Sequence, residues 1–314
     1  MSATIIDGNA VARALRVQCK ADVESIRTRH GISPGLAVIL IGDDPASKVY
    51  VRNKIRACGE CGIQSFRFDY PRDVEPVVVL RKIAELNADA RVHGILVQLP
   101  LPPQFDMSQV LRAIAPDKDV DGFHLYNVGA LVTGGTVFPP CTPYGVMKIL
   151  EYEGIAVEGK NAVVVGASNI VGKPMALMLM QQGATVSVCH IKTRDLAQFT
   201  ILADILVVAA GHPNLILPQM VREGAVVIDV GINRMPDGRL VGDIDFEGVR
   251  RRASYVTPVP GGVGPMTVTM LLVNTISSAR RLLEKQGERQ QVRPAPSSFE
   301  ASLAVARVAP QDDR

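Results

Sequence analysis

The chain of 314 residues has no tryptophan, and aromatic residues make up only 4% of it. That argues against a base-stacking platform for single-stranded nucleic acid and against an aromatic-rich interface. Charge of one sign is also missing. Lys plus Arg is 34 against 31 for Asp plus Glu, a formal net charge of +3. A dedicated nucleic-acid binder shows a basic stripe instead. No apolar run approaches the length of a membrane span. The start, Met1-Ser2-Ala3-Thr4-Ile5-Ile6-Asp7, has no basic segment leading into an apolar stretch, so no secretory leader is expected. Five cysteines, an odd number in a chain this long, do not make a disulfide framework. A reducing cytoplasm is the expected compartment. Cys58 and Cys61 form a lone C-x-x-C before Gly62. With no second pair for zinc, helix-packing cysteines are the expectation and redox or metal chemistry the alternative.

What is present is a 47% hydrophobic composition, enough for a sizeable core, in a length that suggests two domains. Helical spacing over 9–30, a buried-strand run at Leu36–Ile41 closed by Gly42-Asp43-Asp44-Pro45, and helical spacing over 46–60 open the chain. A strand at Gln64–Tyr70, a helix over 74–88 and a strand at Gly94–Leu99 follow. That alternation is the pattern of a parallel sheet. Val128–Pro143, rich in Gly, Thr and Pro, reads as a domain junction. Beyond it a second series gives strands at Asn161–Val165, Ala184–Cys189, Asp204–Ala210 and Ala225–Val230, with a helix over Lys173–Gln182 ended by Gly183. A last helix from Pro265 to about Glu284 carries the stripe Leu271, Leu272, Ile276, Ala279, Leu282, Leu283. The predicted division is 1–139, 140–265 and a helix 266–285 returning to the first domain. Residues 286–314 are expected to form a mobile tail, with a short helix near Ala301–Val308. That tail balances four acids against four arginines, so the +3 belongs to the folded body.

Gly166-Ala-Ser168-Asn-Ile-Val-Gly172-Lys-Pro174 joins a strand to a helix. Glycine at the strand end lets backbone approach a pyrophosphate, and the helix N-terminus favours the anion. The alternative is an ordinary turn, since the spacing is not G-x-G-x-x-G. The next strand ends Cys189-His190-Ile191-Lys192-Thr193-Arg194, with two cations and no acid. An acid there would bind ribose hydroxyls, so cations favour a 2′-phosphate and hence NADP. Tyr50 and Lys54 are i and i+4 on one helix and share a face with Lys48 and Arg52 nearby. A lysine so placed can handle protons, or can be an ordinary surface residue. Gln98 lies in an apolar strand, where its amide must find partners: neighbouring backbone or a catalytic group. Asp117-Lys118-Asp119-Val120-Asp121-Gly122 lacks the ligand alternation of an EF-hand, so no metal is expected. Val259-Pro-Gly-Gly-Val-Gly-Pro-Met-Thr267 is too constrained for a linker and suits either backbone approach to a planar ligand or a tight domain-crossing turn.

Tyr50-x-x-x-Lys54, Gly94-Ile-Leu-Val-Gln98-Leu-Pro100-Leu-Pro102, Lys118-Asp-Val-Asp121-Gly-Phe123, Gly166-x-Ser168-x-x-Val171-Gly172-x-Pro174 and Pro260-Gly-Gly-Val-Gly-Pro-Met-Thr267 occur in that order. Together they resemble the bifunctional methylenetetrahydrofolate dehydrogenase/methenyltetrahydrofolate cyclohydrolase family over residues 3–285. The resemblance implies an α/β fold with an N-terminal catalytic domain, a Rossmann-like NAD(P)-binding domain with a parallel sheet, and a cleft between them. It implies oxidation of 5,10-methylenetetrahydrofolate with NADP and hydrolysis of the product to 10-formyltetrahydrofolate. It also implies a place in one-carbon supply to purine, histidine and methionine biosynthesis, and a homodimer.

The resemblance carries roles onto residues. Lys54 matches the catalytic lysine, Gln98 the glutamine that tunes it, Tyr50 the tyrosine stacked on folate and Asp121 the acid at the pterin's amino edge. Ser47, Leu99 and Pro260, Gly261 and Gly262 complete the folate set. Gly166, Ala167, Ser168, Ile170, Val171, Gly172, Ile191, Lys192 and Ile232 form the nucleotide set. Two positions depart from the family pattern. Ala167 stands where an arginine commonly holds the 2′-phosphate, and Ile191 where Arg or Ser is frequent. NAD is therefore an alternative to NADP, with Lys192 and Arg194 placed to compensate. Two other readings remain: a two-domain Rossmann oxidoreductase on a small polar substrate, and a non-enzymatic nucleotide-binding protein. The first assigns no job to Gln98 or the Pro-Gly-Gly stretch; the second none to Lys54, Gln98 and Asp121 together.

Overall fold

The computed structural model describes residues 2–291, with side chains to 285. The first half is α1 (Gly8–His30), β2 (Gly35–Ile41), α2 (Pro45–Cys61), β3 (Gln64–Tyr70), α3 (Pro76–Ala88), β4 (Gly94–Val97), α4 (Met107–Ala113) and α5 (Leu125–Thr133), preceded by a short β1 (Thr4–Ile5). The second half runs α6 (Cys141–Tyr152), β5 (Asn161–Val165), α7 (Gly172–Gln181), β6 (Thr185–Cys189), α8 (Ala197–Thr200), β7 (Ile205–Val208) and β8 (Val226–Asp229). A hairpin β9 (Asn233–Arg234) and β10 (Leu240–Val241), α9 (Phe246–Val249), β11 (Tyr255–Val256) and α10 (Val263–Gln291) complete it.

Two parallel sheets result. One is three-stranded, in the order β3-β2-β4. Its central β2 is buried along its whole length, as a strand covered on both faces must be. The other is six-stranded, β1-β11-β8-β7-β5-β6. The chain turns from β5 outward to β6 and then back past β5 to β7. The carboxyl ends of β5 and β7 therefore bound the crevice where such sheets bind ligands. The N-terminal β1 pairs with β11 in this second sheet and not with its sequence neighbours. Residues 4–5 thus lie in a sheet otherwise built from 161–256, although they fall within the stretch assigned by sequence to the first domain.

Helix ends follow local chemistry. Asp44 caps α2 by accepting from the Ser47 amide at 2.7 Å, Pro45 occupies its first turn, and Gly62 ends it in the left-handed region at φ 80°. Part of the expected junction is helical: α5 from Val128 onward and the start of α6 fall inside Val128–Pro143, with Gly134 ending α5. α10 runs to Gln291, six residues into the predicted tail. Residues 292–314, with the helix expected near Ala301, lie outside the described residues. Leu271, Leu272, Ile276 and Ala279 of the α10 stripe are buried, while Leu282 and Leu283 are half-buried at its end. α10 packs on α6, α1 and α2 and touches β4, so one helix joins both halves of the chain.

Candidate functional site

α2 presents Ser47, Val51, Lys54, Ala57, Cys58 and Cys61 to the interior, a stripe in which Lys54 is the only cation. Lys54 is 7% exposed, and its Nζ donates to Gln98 Oε1 at 3.1 Å. Gln98 sits just past β4, and its Nε2 donates to the Leu99 carbonyl at 2.6 Å. The amide orientation is thereby set: the nitrogen is used by backbone, and the oxygen is left for Lys54. The Gln98 side chain thus bonds both to neighbouring backbone and to Lys54.

Asp121 reaches the same space from the loop between α4 and α5, and several polar groups fix that loop. Lys118 Nζ donates to the carbonyls of Leu86 at 3.0 Å and Asp89 at 2.8 Å. Asp119 accepts from the His124 amide and from Asn127 Nδ2, both at 2.8 Å. Asn274 of α10 donates to the carbonyls of Val120 at 2.8 Å and Pro139 at 3.0 Å. Lys118 and Asp119 are therefore structural, and no His/Cys/Asp/Glu group suited to a metal ion occurs among the described residues. Loss of hydration pushes the Asp121 carboxyl up, and the Lys54 charge pulls it back. Burial also pushes up the Tyr50 phenol, opposed by Arg234.

These groups line one cavity of about 380 Å³. Ser47, Tyr50, Lys54, Gln98, Leu99 and Asp121 come from the first half, and Ile170, Val171 and Ile232 from the second. The sequence reading missed Asp44, Phe123, Cys141, Thr142, Val230, Val263 and Thr267, which also line it. Thr142 and Thr267 hydroxyls lie 3.0 Å apart across the junction of α6 and α10. The signal for Cys141 and Thr142 is present in Pro139-Pro140-Cys141-Thr142-Pro143, a rigid segment that by sequence reads only as a junction. Pro260, Gly261 and Gly262 are not in the lining; their neighbours Val263 and Gly264 are. The loop instead packs on the start of α1, where a Cβ on Gly8 would fall 1.8 Å from the Gly262 carbonyl oxygen.

The nucleotide loop follows β5 at the crevice. Gly166 has φ 122°, and a Cβ there would lie 2.2 Å from the Ala209 carbonyl oxygen past β7. A Cβ on Gly172 would lie 1.9 Å from the Gly166 carbonyl oxygen. Only glycine lets these backbones close up. Ser168 Oγ accepts from the amides of Val171 at 3.1 Å and Gly172 at 3.3 Å. The amides of Ala167, Ser168, Asn169 and Ile170 have no acceptor among the described residues. A strand-end glycine, a closed turn and donors at a helix N-terminus fit a pyrophosphate. At the end of β6, Ile191 is 97% exposed and Lys192 and Arg194 are exposed, with neither cation in an ion pair among the described residues. The C-x-x-C cysteines are both buried and free; burial pushes the Cys58 thiol up to about 11, which suits packing and not redox work.

Fold and site define a two-domain α/β enzyme class: a buried lysine–glutamine pair and a carboxylate facing a dinucleotide-type loop across one cleft. Residues 6–121 match the family described as tetrahydrofolate dehydrogenase/cyclohydrolase, catalytic domain, and residues 140–283 match its NAD(P)-binding domain. The chain belongs to the tetrahydrofolate dehydrogenase/cyclohydrolase family. It is 59% identical over 281 residues to the bifunctional protein FolD of Nitrosospira multiformis, covering 90% of this chain and 97% of that one. Among solved structures it is similar to the FolD dehydrogenase/cyclohydrolase of Campylobacter jejuni, at 52% identity and TM-score 0.87, over 90% of this chain and 100% of the other. The FolD of Trypanosoma brucei, solved with NADP cofactor and inhibitor, superposes with TM-score 0.87 at 40% identity, over 90% and 99% of the two chains.

Proposed function

We propose that this chain oxidises 5,10-methylenetetrahydrofolate with NADP and hydrolyses the resulting 5,10-methenyltetrahydrofolate to 10-formyltetrahydrofolate in one cleft. The observation that carries the reading is the Lys54–Gln98 pair, 3.1 Å apart, in a cavity shared with Tyr50, Asp121 and the nucleotide-loop residues Ile170 and Val171. NADP, when bound, supplies the hydride acceptor. Gly166, Ser168 and Gly172 would hold its pyrophosphate, and Ala167, Ile191 and Lys192 would lie near its ribose. With no arginine at position 167, Lys192 and Arg194 carry the preference for a 2′-phosphate.

The first step needs alignment and no protein acid. Tyr50 offers a flat wall, and Asp121 an acceptor for the pterin's N–H edge. Ser47 and Leu99 complete the folate wall; Pro260–Gly262 support it from behind, through Val263 and Gly264. The second step uses Lys54 as an amine base beside an electrophilic cation, which an amine tolerates and an ammonium would repel. A neutral Lys54 that donates one N–H to Gln98 keeps its lone pair free. Water adds to the methenyl carbon and its proton passes to Lys54 Nζ. The carbon–N5 bond then breaks, N5 takes one proton, and one proton leaves to solvent.

Residues 6–139 and 140–262 act as the folate-side and nucleotide-side bodies, with α10 bridging them. A homodimer is supported by β6, the outer strand of its sheet, which exposes Val188. No helix among the described residues is long and apolar enough to cross a membrane. A cytoplasmic setting and a role in supplying formyl groups for purine, histidine and methionine biosynthesis complete the proposal. The test is paired assays of methylenetetrahydrofolate-dependent NADP⁺ or NAD⁺ reduction and of methenyl hydrolysis. Absence of both activities with either nucleotide overturns it.

A further inference from the structure

Two acids outside the cleft are among the most buried polar side chains of the molecule. Asp229 ends β8 at 2% exposure, and Asp243, after β10, is fully buried. Neither forms an ion pair among the described residues; N–H groups fill their oxygens instead. Asp243 Oδ2 accepts from the amides of Ala210 at 2.7 Å and Gly211 at 2.8 Å. Its Oδ1 accepts from the His212 amide at 3.0 Å and from Asn233 Nδ2 at 2.8 Å. Asp229 Oδ1 accepts from the amides of Gly231 and Asp243, both at 3.0 Å. Its Oδ2 accepts from the amides of Asp243 at 2.9 Å and Ile244 at 3.2 Å.

Burying two carboxylates without a cation is costly even when they are hydrogen-bonded. The return is placement of backbone. Ala210–His212 continue from Ala209, whose carbonyl closes on Gly166 and whose amide donates to Val165 at 2.7 Å. Gly231 and Asn233 flank Ile232, which lines the cleft with Val230. There is no slack in the arrangement. A Cβ on Gly231 would fall 2.1 Å from Asp243 Oδ1, and one on Gly242 would fall 1.8 Å from Asp229 Oδ2. Burial pushes the Asp229 carboxyl up to about 7 against its N–H donors, so above that pH it is the pure acceptor they require.

We propose that Asp229 and Asp243 are positioning residues for the dehydrogenase step, clamping the nucleotide-side wall beside Gly166 and at Ile232 in register with the folate-side wall. The inference rests on the NADP-dependent reading above. Neither acid touches the cleft, and the Lys54–Gln98 pair is held separately by α2 and the end of β4. The clamp therefore matters for alignment of the two carbons in hydride transfer and not for hydrolysis.

The test compares Asp243→Asn and the milder Asn233→Ala with wild type at about pH 8, above the Asp229 value. Measured for each are NADP⁺-dependent oxidation, methenyl hydrolysis without nucleotide, NADP⁺ affinity by calorimetry, and Tm. Expected is a fall in oxidation of tenfold to about 100-fold, the scale of a 1 Å misplacement, with hydrolysis within about twofold of wild type. Equal loss of both activities, tracking Tm, makes the acids merely structural and overturns the proposal. So does unchanged oxidation in folded variants. If Asp243→Asn does not fold, Asn233→Ala decides by the same split. If wild type oxidises no folate, the functional reading has failed, and NADP⁺ affinity still judges the clamp: an unchanged Kd in the variants overturns it.

Discussion

Lys54 stands in the interior stripe of α2 between Val51 and Ala57, where its neighbours are apolar, and that placement makes it available for proton handling. Lys54→Ala is expected to lower methenyl hydrolysis by about 100-fold or more, the usual worth of a placed acid–base group. A hydrolysis rate within tenfold of wild type would remove Lys54 from the mechanism. On the proposed reading, Ala167 at the nucleotide loop leaves the 2′-phosphate to Lys192 and Arg194. Ala167→Arg is expected to lower the KM for NADP⁺ and leave that for NAD⁺ unchanged in paired initial-rate assays. Asp89 behaves differently, because its role is structural. Hydrogen bonds from the Arg91 side chain and amide hold its carboxyl down to about 2. A lowered carboxyl pKa contributes stability above the unfolded value, near 4, and loses it as pH falls through about 2. Asp89→Ala should therefore lower Tm at neutral pH, and the difference from wild type should close between about pH 4 and about pH 2. At this scale the motifs Tyr50-x-x-x-Lys54 and Gln98 were legible because spacing put them on one face or at the end of one apolar strand. Asp44, Cys141 and Thr142 were not, since a cap residue and a proline-flanked segment look like ordinary connections.

Among the elements, α10 has the largest structural task beyond its own length. Its apolar stripe was readable from periodicity, but its buried polar residues were not. Asn274 donates to Val120 and Pro139, and Ser278 to the carbonyls of His93 and Asp117. The helix thus splints the loop that carries Asp121. Asn274→Leu would leave the Pro139 carbonyl without a donor and the Val120 carbonyl with only the Cys141 thiol, at a cost of about 1–3 kcal/mol. It should lower both activities together and raise the KM for folate, measurable by steady-state kinetics against a denaturant titration. An effect confined to stability would mean that Asp121 keeps its place without α10. The longer strands β2 to β8 were legible to within about two residues at each end, because buried apolar runs between turn residues admit few other readings; the two-residue strands β1, β9, β10 and β11 carry no such run and were not. α4, α5 and α6 were not read as helices; in α5, the Gly and Thr around 129–136 weaken the helical pattern that tertiary contacts complete.

Over the whole molecule, the largest apolar cluster contains Val11 and Leu36 from the first half, Val164 and Ile205 from the second, and Leu271 from α10. A core continuous across both halves couples them. Leu271 is fully buried, so Leu271→Ala is expected to cost about 2–5 kcal/mol and to lower a single unfolding transition. Two separate calorimetric transitions would show that the halves melt independently. The sequence by itself determined the two α/β series, the glycine-bearing turn after β5 and the motifs that carry Lys54, Gln98, Tyr50 and Asp121 to one cavity, because periodicity, glycine placement and motif order are local properties of the chain. Only the tertiary structure decided that β1 joins the second sheet, that Gly166 closes on Ala209, that Lys54 meets Gln98 across 44 residues of chain, and that Asp229 and Asp243 bind the nucleotide-side loops. Those pairings join residues far apart in sequence. No local pattern encodes them, because each becomes favourable only when the sheets and α10 have brought both partners to one place.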